Sequence, residues 1–244
     1  MKKLTLYIAI LATFLFACES SSDVVSPSNA SVGGSLARFT IMDETLIAID
    51  QNEIKLFEIA QDGMITFSKS IEVGSGLETL FPKGDFLFIG TRVGMHIYRK
   101  SGSDFEFISF TEHLESCDPV VANETHAYVT LRNGRSCSFG SNLLDVYSIE
   151  DISSPQLIQS IDMEGPKGLS LTSSHLYVCD GEDGITIFEI LEDGSVKEQS
   201  RVNGFNAHDA IVIGQILIIV ADDNIYQFQI LATGEIEKVS EINL

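Results

Sequence analysis

Short apolar runs of about five or six residues, separated by polar turn clusters, recur along the chain from roughly residue 35 onward. None sustains a helical period, so the pattern predicts strands throughout. Five runs share one shape, at residues 46–50, 86–90, 126–130, 175–179 and 216–220. Each is followed by a second run with one aromatic in register: Phe57, Tyr98, Tyr147, Phe188 and Phe228. The first ladder is spaced by 40, 40, 49 and 41 residues, the aromatic ladder by 41, 49, 41 and 40. A repeat of that size built only of strands predicts an all-β, five-bladed β-propeller with four-stranded antiparallel blades. The repeats fall at 36–75, 76–115, 116–164, 165–204 and 205–244.

Both ladders carry one excess of about nine residues, and it lies between the first and second runs of the third repeat, at 132–143. Asp62-Gly63, Asp193-Gly194 and Thr233-Gly234 mark one recurrent turn. Ring closure is expected from packing between the fifth and first blades, or from residues 29–35 adding an edge strand there.

The first residues differ from the rest. Lys2 and Lys3 precede an apolar run at 4–17, the build of a signal peptide and too short for a standard membrane span. Leu15-Phe16-Ala17-Cys18 resembles the bacterial lipobox, which implies cleavage before Cys18 and attachment of lipid to it. Residues 18–34 are Ser- and Gly-rich and read as a flexible tether to the propeller at 35–244. The resemblance makes the membrane a partner through the lipid on Cys18. Because Glu19, not Asp, follows the cysteine, it also implies passage beyond the inner membrane, to the outer membrane of the cell envelope.

Without Lys2 and Lys3, 13 basic residues face 35 acidic ones, a net of −22. That field excludes nucleic acid as a partner. In an oxidising compartment Cys117, Cys137 and Cys179 supply one disulfide and one thiol. Cys117 opens the inner strand of blade three and Cys137 lies in the inserted loop on the same face, so the pair is expected to be Cys117–Cys137. Such a bond closes a loop of about twenty residues and contributes roughly 3 kcal/mol. Cys179 ends an apolar strand and reads as a small buried thiol.

An apolar strand ending in Asp occurs at 46–50 and at 176–180, the second followed by a Gly-initiated strand with an aromatic at 184–188, and Asp151-Ile152-Ser153-Ser154-Pro155 reads as a turn. These features resemble the LVIVD-repeat family of bacterial surface β-propellers. The resemblance implies a lipid-anchored propeller and supplies no catalytic residues.

Counting eight residues back from each first-run anchor gives Arg38, Glu78, Asp118, Lys167 and His208, all ionisable. In a propeller these positions start the inner strands, near one mouth of the axial channel. They are expected to form inter-blade ion pairs or a mixed-charge ligand site for an envelope protein, peptide or glycan. A calcium site fits poorly, since Arg38 and Lys167 oppose a divalent cation. Asp180-Gly181-Glu182-Asp183-Gly184 and Asp222-Asp223-Asn224 read as turns rather than metal loops. His96, His113, His126, His175 and His208 are dispersed, and no motif implies a cofactor or a metal. The leading expectation is a non-catalytic binding or scaffold module. The alternative is a carbohydrate-active hydrolase or lyase using Glu78, Asp118 and Asp209, against which stands the lack of Trp for sugar stacking.

Overall fold

The computed structural model describes residues 34–113, 119–133 and 141–244. Cys18, Cys117, Asp118 and Cys137 lie outside the described residues, and with them the predicted lipid attachment and disulfide.

Blade one comprises β1 (Phe39–Met42), β2 (Thr45–Asp50), β3 (Glu53–Ile59) and β4 (Ile65–Glu72). Blade two comprises β5 (Leu77–Lys83), β6 (Phe86–Thr91), β7 (Gly94–Ser101) and β8 (Asp104–Glu112). Blade three holds β9 (Val120–Ala122), β10 (His126–Leu131), β11 (Leu143–Ser148) and β12 (Gln156–Asp162). Blade four holds β13 (Leu169–Leu171), β14 (His175–Cys179), β15 (Ile185–Ile190) and β16 (Val196–Val202). Blade five is β17 (Ala207–Ile213), β18 (Ile216–Ala221), β19 (Asn224–Ile230) and β20 (Ile236–Asn243). Each blade is one antiparallel sheet with its strands in chain order, giving the five-bladed β-propeller that the repeat predicts.

Strand pairing fixes the register between blades. The aromatics stand opposite Leu46, Leu87, Ala127, Leu176 and Leu217. The sequence ladder aligns Leu46 with Phe86, whereas the pairing aligns Thr45 with it, so the blade-one anchor is one residue out. The apolar runs at 46–50 and 86–90 look alike, and only the cross-strand partner separates them.

Four apolar clusters hold successive blades together. Tyr98 packs with Ile47, Ile54 and Leu56 of blade one, and Tyr147 with Phe88, Met95 and Ile97 of blade two. Phe188 packs with Tyr128 and Val146 of blade three, and Phe228 with Tyr177, Ile185 and Ile187 of blade four. Each aromatic therefore faces back onto the preceding blade. The middle blades bury both faces of the second strand, since β10 and β14 are buried at every residue.

No such cluster spans blades five and one among the described residues. Phe57 shares its face with Phe39, Ile41, Leu46 and Phe67, and Phe39 and Phe67 are 66% and 55% exposed. The forward face of blade five carries Ile211, Ile213, Ile216, Ile218 and Val220, none of them buried. The recurrent turn glycines agree. The His126 ring covers Gly194 and the His175 ring covers Gly234, whereas nothing lies within 4 Å of a Cβ placed on Gly63. The expected packing between blades five and one therefore takes no apolar form among the described residues, and the alternative edge strand at 29–35 falls mostly outside them. The tie is polar and lies near the axis: Ser35 Oγ donates to Asp209 Oδ1 at 3.2 Å, and Leu169 N donates to Ser35 Oγ at 2.7 Å. Ala37 N donates to Gly34 O, making residues 34–37 a turn, and Leu80 N of blade two donates to Ala37 O.

Candidate functional site

The inner strands begin irregularly, and this irregularity aims side chains at the axis. Pairing of β5 with β6 skips Glu78, and pairing of β17 with β18 skips His208. Each is the extra residue of a β-bulge, a device that turns a side chain away from the sheet's alternation. Blade four repeats the two-against-one arrangement: Cys179 O accepts from Lys167 N while Cys179 N donates to Gly168 O. In blade one the pairing of β1 with β2 runs without such a shift. Ile49 N donates to Arg38 O just as Cys179 N donates to Gly168 O, so Arg38 stands level with Gly168 and Asp209. Ala37 occupies the level of Glu78, Lys167 and His208, and Arg38 is one residue out of the predicted column.

Arg38, Glu78, Lys167 and His208 nevertheless line one concavity of about 580 Å³. Asp118 lies outside the described residues, and its neighbour Pro119 lines the same space. The ion-pair and ligand-site expectations each meet part of the geometry. Glu78 Oε1 pairs with Arg92 Nε at 3.2 Å, a partner on its own blade. Arg38 Nη1 donates to Leu77 O at 3.3 Å and to Glu78 O at 3.4 Å, reaching across to blade two without touching a carboxylate.

Lys167 Nζ donates to Asn206 Oδ1 at 2.8 Å and meets His208 Nδ1 at 2.9 Å. An ammonium has only protons to give, so Nδ1 accepts, and Nε2 carries the proton donated to Asp222 Oδ1. Asn206 Nδ2 donates to Asp222 Oδ2 at 2.8 Å, closing a four-residue network between blades four and five. Burial, and then the Arg132 charge, push the Lys167 pKa down; Asp222 and Glu182 push the other way. Hydrogen bonds from His208 and Asn206 hold the Asp222 carboxyl below its ordinary value.

Arg92 and Arg132 also line the concavity and were missed from the sequence. Both follow the end of a second strand, six residues after the anchors Phe86 and His126. The same step leads to Gln51 from the corrected anchor Thr45, and to Asp222 from Ile216. Scanning that second column from the sequence anchors would have found Arg92, Arg132 and Asp222, but Asn52 in place of Gln51.

Asp209 serves elsewhere. It is not among the lining residues, and its carboxylate accepts from Ser35 Oγ and Ala210 N. Burial, partly offset by these hydrogen bonds, raises its pKa to about 6. Cys179 is fully buried and burial pushes its thiol up, consistent with a packing role. His126 and His175 sit against the turn glycines of the next blade, and Tyr128 and Tyr177 donate their hydroxyls to Gly194 O and Gly234 O. Among the described residues no group of three or more His, Cys, Asp or Glu is placed to hold a metal.

No protein-family model matches the chain, and no curated protein matches it. Solved structures do. A protein from Lactobacillus plantarum superposes with a TM-score of 0.70 at 13% identity, over 81% of this chain and 67% of that one. A periplasmic gluconolactonase from Pseudomonas aeruginosa gives 0.65 at 14%, over 82% and 68%. Hsv2 of Kluyveromyces lactis gives 0.55 at 11%, over 88% and 64%. At these identities the likeness is one of fold: the chain shares its architecture with β-propellers that include an enzyme.

Proposed function

We propose that this chain is a non-catalytic binding module of the bacterial envelope, tethered by lipid on Cys18 to the outer membrane. Its ligand enters the axial mouth and belongs to an envelope protein, peptide or glycan. One observation carries the reading: all five blades send polar or charged side chains to the same concavity, from Arg38 and Gln51 in blade one to His208 in blade five. The strand pattern and the Asp-Ile-Ser-Ser-Pro turn support membership of the LVIVD-repeat family.

The hydrolase alternative draws some support from the gluconolactonase likeness in fold. It needs two free carboxylates across the scissile bond. Of the three proposed, Asp118 lies outside the described residues, Glu78 is paired with Arg92, and Asp209 is bonded to the 34–37 turn and does not line the concavity. Both facts favour binding over turnover. The mature protein should hydrolyse neither aldonolactones nor a panel of glycosides. Turnover that vanishes in Glu78→Gln would overturn the binding reading.

A further inference from the structure

The charge at the mouth runs against the charge of the molecule. Beyond the export segment the chain has 13 Lys and Arg against 35 Asp and Glu, yet Arg38, Arg92, Arg132 and Lys167 all line this one concavity. Among the described residues Glu78 is the one acid that lines it. Glu78 is matched by Arg92, and Asp222 answers Lys167 through Asn206 and His208. Among the described residues neither Arg38 nor Arg132 forms an ion pair within 4.0 Å. Asp118 lies outside the described residues and does not enter this count.

Holding like charges together costs free energy that scattered surface charges avoid. Arg132 acts on Lys167 as such a neighbour, and it does so inside a recess where charge is less screened. Chance placement is a poor account of cations drawn from four different blades. A ligand that supplies the missing negative charge accounts for them. Guanidinium groups suit planar or tetrahedral oxyanions, which they grip through two parallel N–H donors.

Building on the binding reading above, we infer that the axial mouth is an anion site for a small ligand with two or more carboxylate or phosphate groups. One acid group meets Arg38 on the side of blades one and two. The other meets Arg132 and Lys167 on the side of blades three and four. The volume of about 580 Å³ suits a ligand of the size of a tricarboxylate, a sugar acid or a phosphorylated sugar. The surrounding negative field rejects anions that lack this grip, so the recess acts as a selective well.

Calorimetric titration of the mature protein tests this, with citrate and inorganic phosphate as the two anions and glucose and spermidine as neutral and cationic comparisons. At about 20 mM salt both anions should bind, and binding should weaken at about 200 mM. Arg132→Ala and Lys167→Ala should each weaken it about tenfold or more, the scale of a lost charge-assisted hydrogen bond. Arg132→Lys should recover part of the loss, and Lys238→Ala, on the outer strand of blade five, should change nothing. Citrate binding without phosphate would assign the site to carboxylates, and the reverse to phosphates. Failure of both anions at millimolar concentration would overturn the inference. Glucose or spermidine binding that depends on Arg132 would also overturn it, while leaving the mouth as the ligand site. Anion binding untouched by both alanine substitutions would instead remove the mouth itself.

Discussion

The interface between blades four and five and the seam between blades five and one begin from the same sequence pattern and end differently. At the first, Phe228 lies against Tyr177, Ile185 and Ile187, and His175 caps Gly234. At the second, Phe57 and Ile218 occupy the same repeat columns as Phe228 and Tyr177, yet among the described residues no apolar cluster of buried residues joins their blades. The seam is bridged near the axis through Asp209, Ser35 and the 34–37 turn. An apolar face is a local property of a strand, whereas its burial depends on what the rest of the chain brings to it.

That contrast can be broken most sharply by truncating the aromatics. Phe188→Ala, in the buried cluster between blades three and four, should cost about 3–5 kcal/mol, as a large cavity in a packed core does. Phe57→Ala should cost no more than about 1 kcal/mol, the range of a substitution outside the core. Denaturant unfolding of both variants checks this, and equal losses would mean that the seam is packed like the other interfaces. The glycines give a smaller and independent contrast. A Cβ on Gly234 would overlap the His175 ring at 2.1 Å, whereas a Cβ on Gly63 meets nothing. Both have positive φ, so Gly63→Ala reports the backbone strain alone, about 1 kcal/mol. Gly234→Ala should lower the thermal midpoint further.

The polar tie predicts a pH effect. The folded-state pKa of Asp209 is raised to about 6, so the folded protein holds that proton more tightly than the unfolded chain does. Its contribution to stability is therefore greatest below about pH 4, falls as pH rises toward 6, and is level above that. Asp209→Asn should flatten this part of the stability profile relative to the parent protein. An unchanged difference between pH 4 and pH 7 would mean that Asp209 is not desolvated at the seam. Smallest of all, Tyr177→Phe removes one hydrogen bond, to Gly234 O, and should cost about 1 kcal/mol by chemical denaturation.

Much of this architecture was legible in the sequence, because a strand repeat with one aromatic in register leaves few alternatives. The seam was not. Leu46, Phe57, Ile216 and Ile218 look as apolar as their counterparts in the middle blades, and periodicity says nothing of whether the first and last faces meet. The candidate site was legible in part. Glu78, Lys167 and His208 came from one column of the repeat. Arg38 entered through a one-residue misregister, because the apolar runs at 46–50 and 86–90 look alike and only the cross-strand partner tells Thr45 from Leu46 as the anchor. Arg92 and Arg132 lay in a second column, after the second strands. Without them the mouth looked mixed in charge; with them the charged side chains that line it among the described residues are mostly cationic.

The five histidines offer the most direct test of the central claim, that ligand enters at the axial mouth. His208 lines the mouth, whereas His126 and His175 pack against the turn glycines of neighbouring blades. Imidazole NMR signals followed through a citrate titration should show His208 shifting and saturating while His126 and His175 stay still. Shifts at His126 or His175 with His208 unmoved would place the ligand between blades and contradict the account.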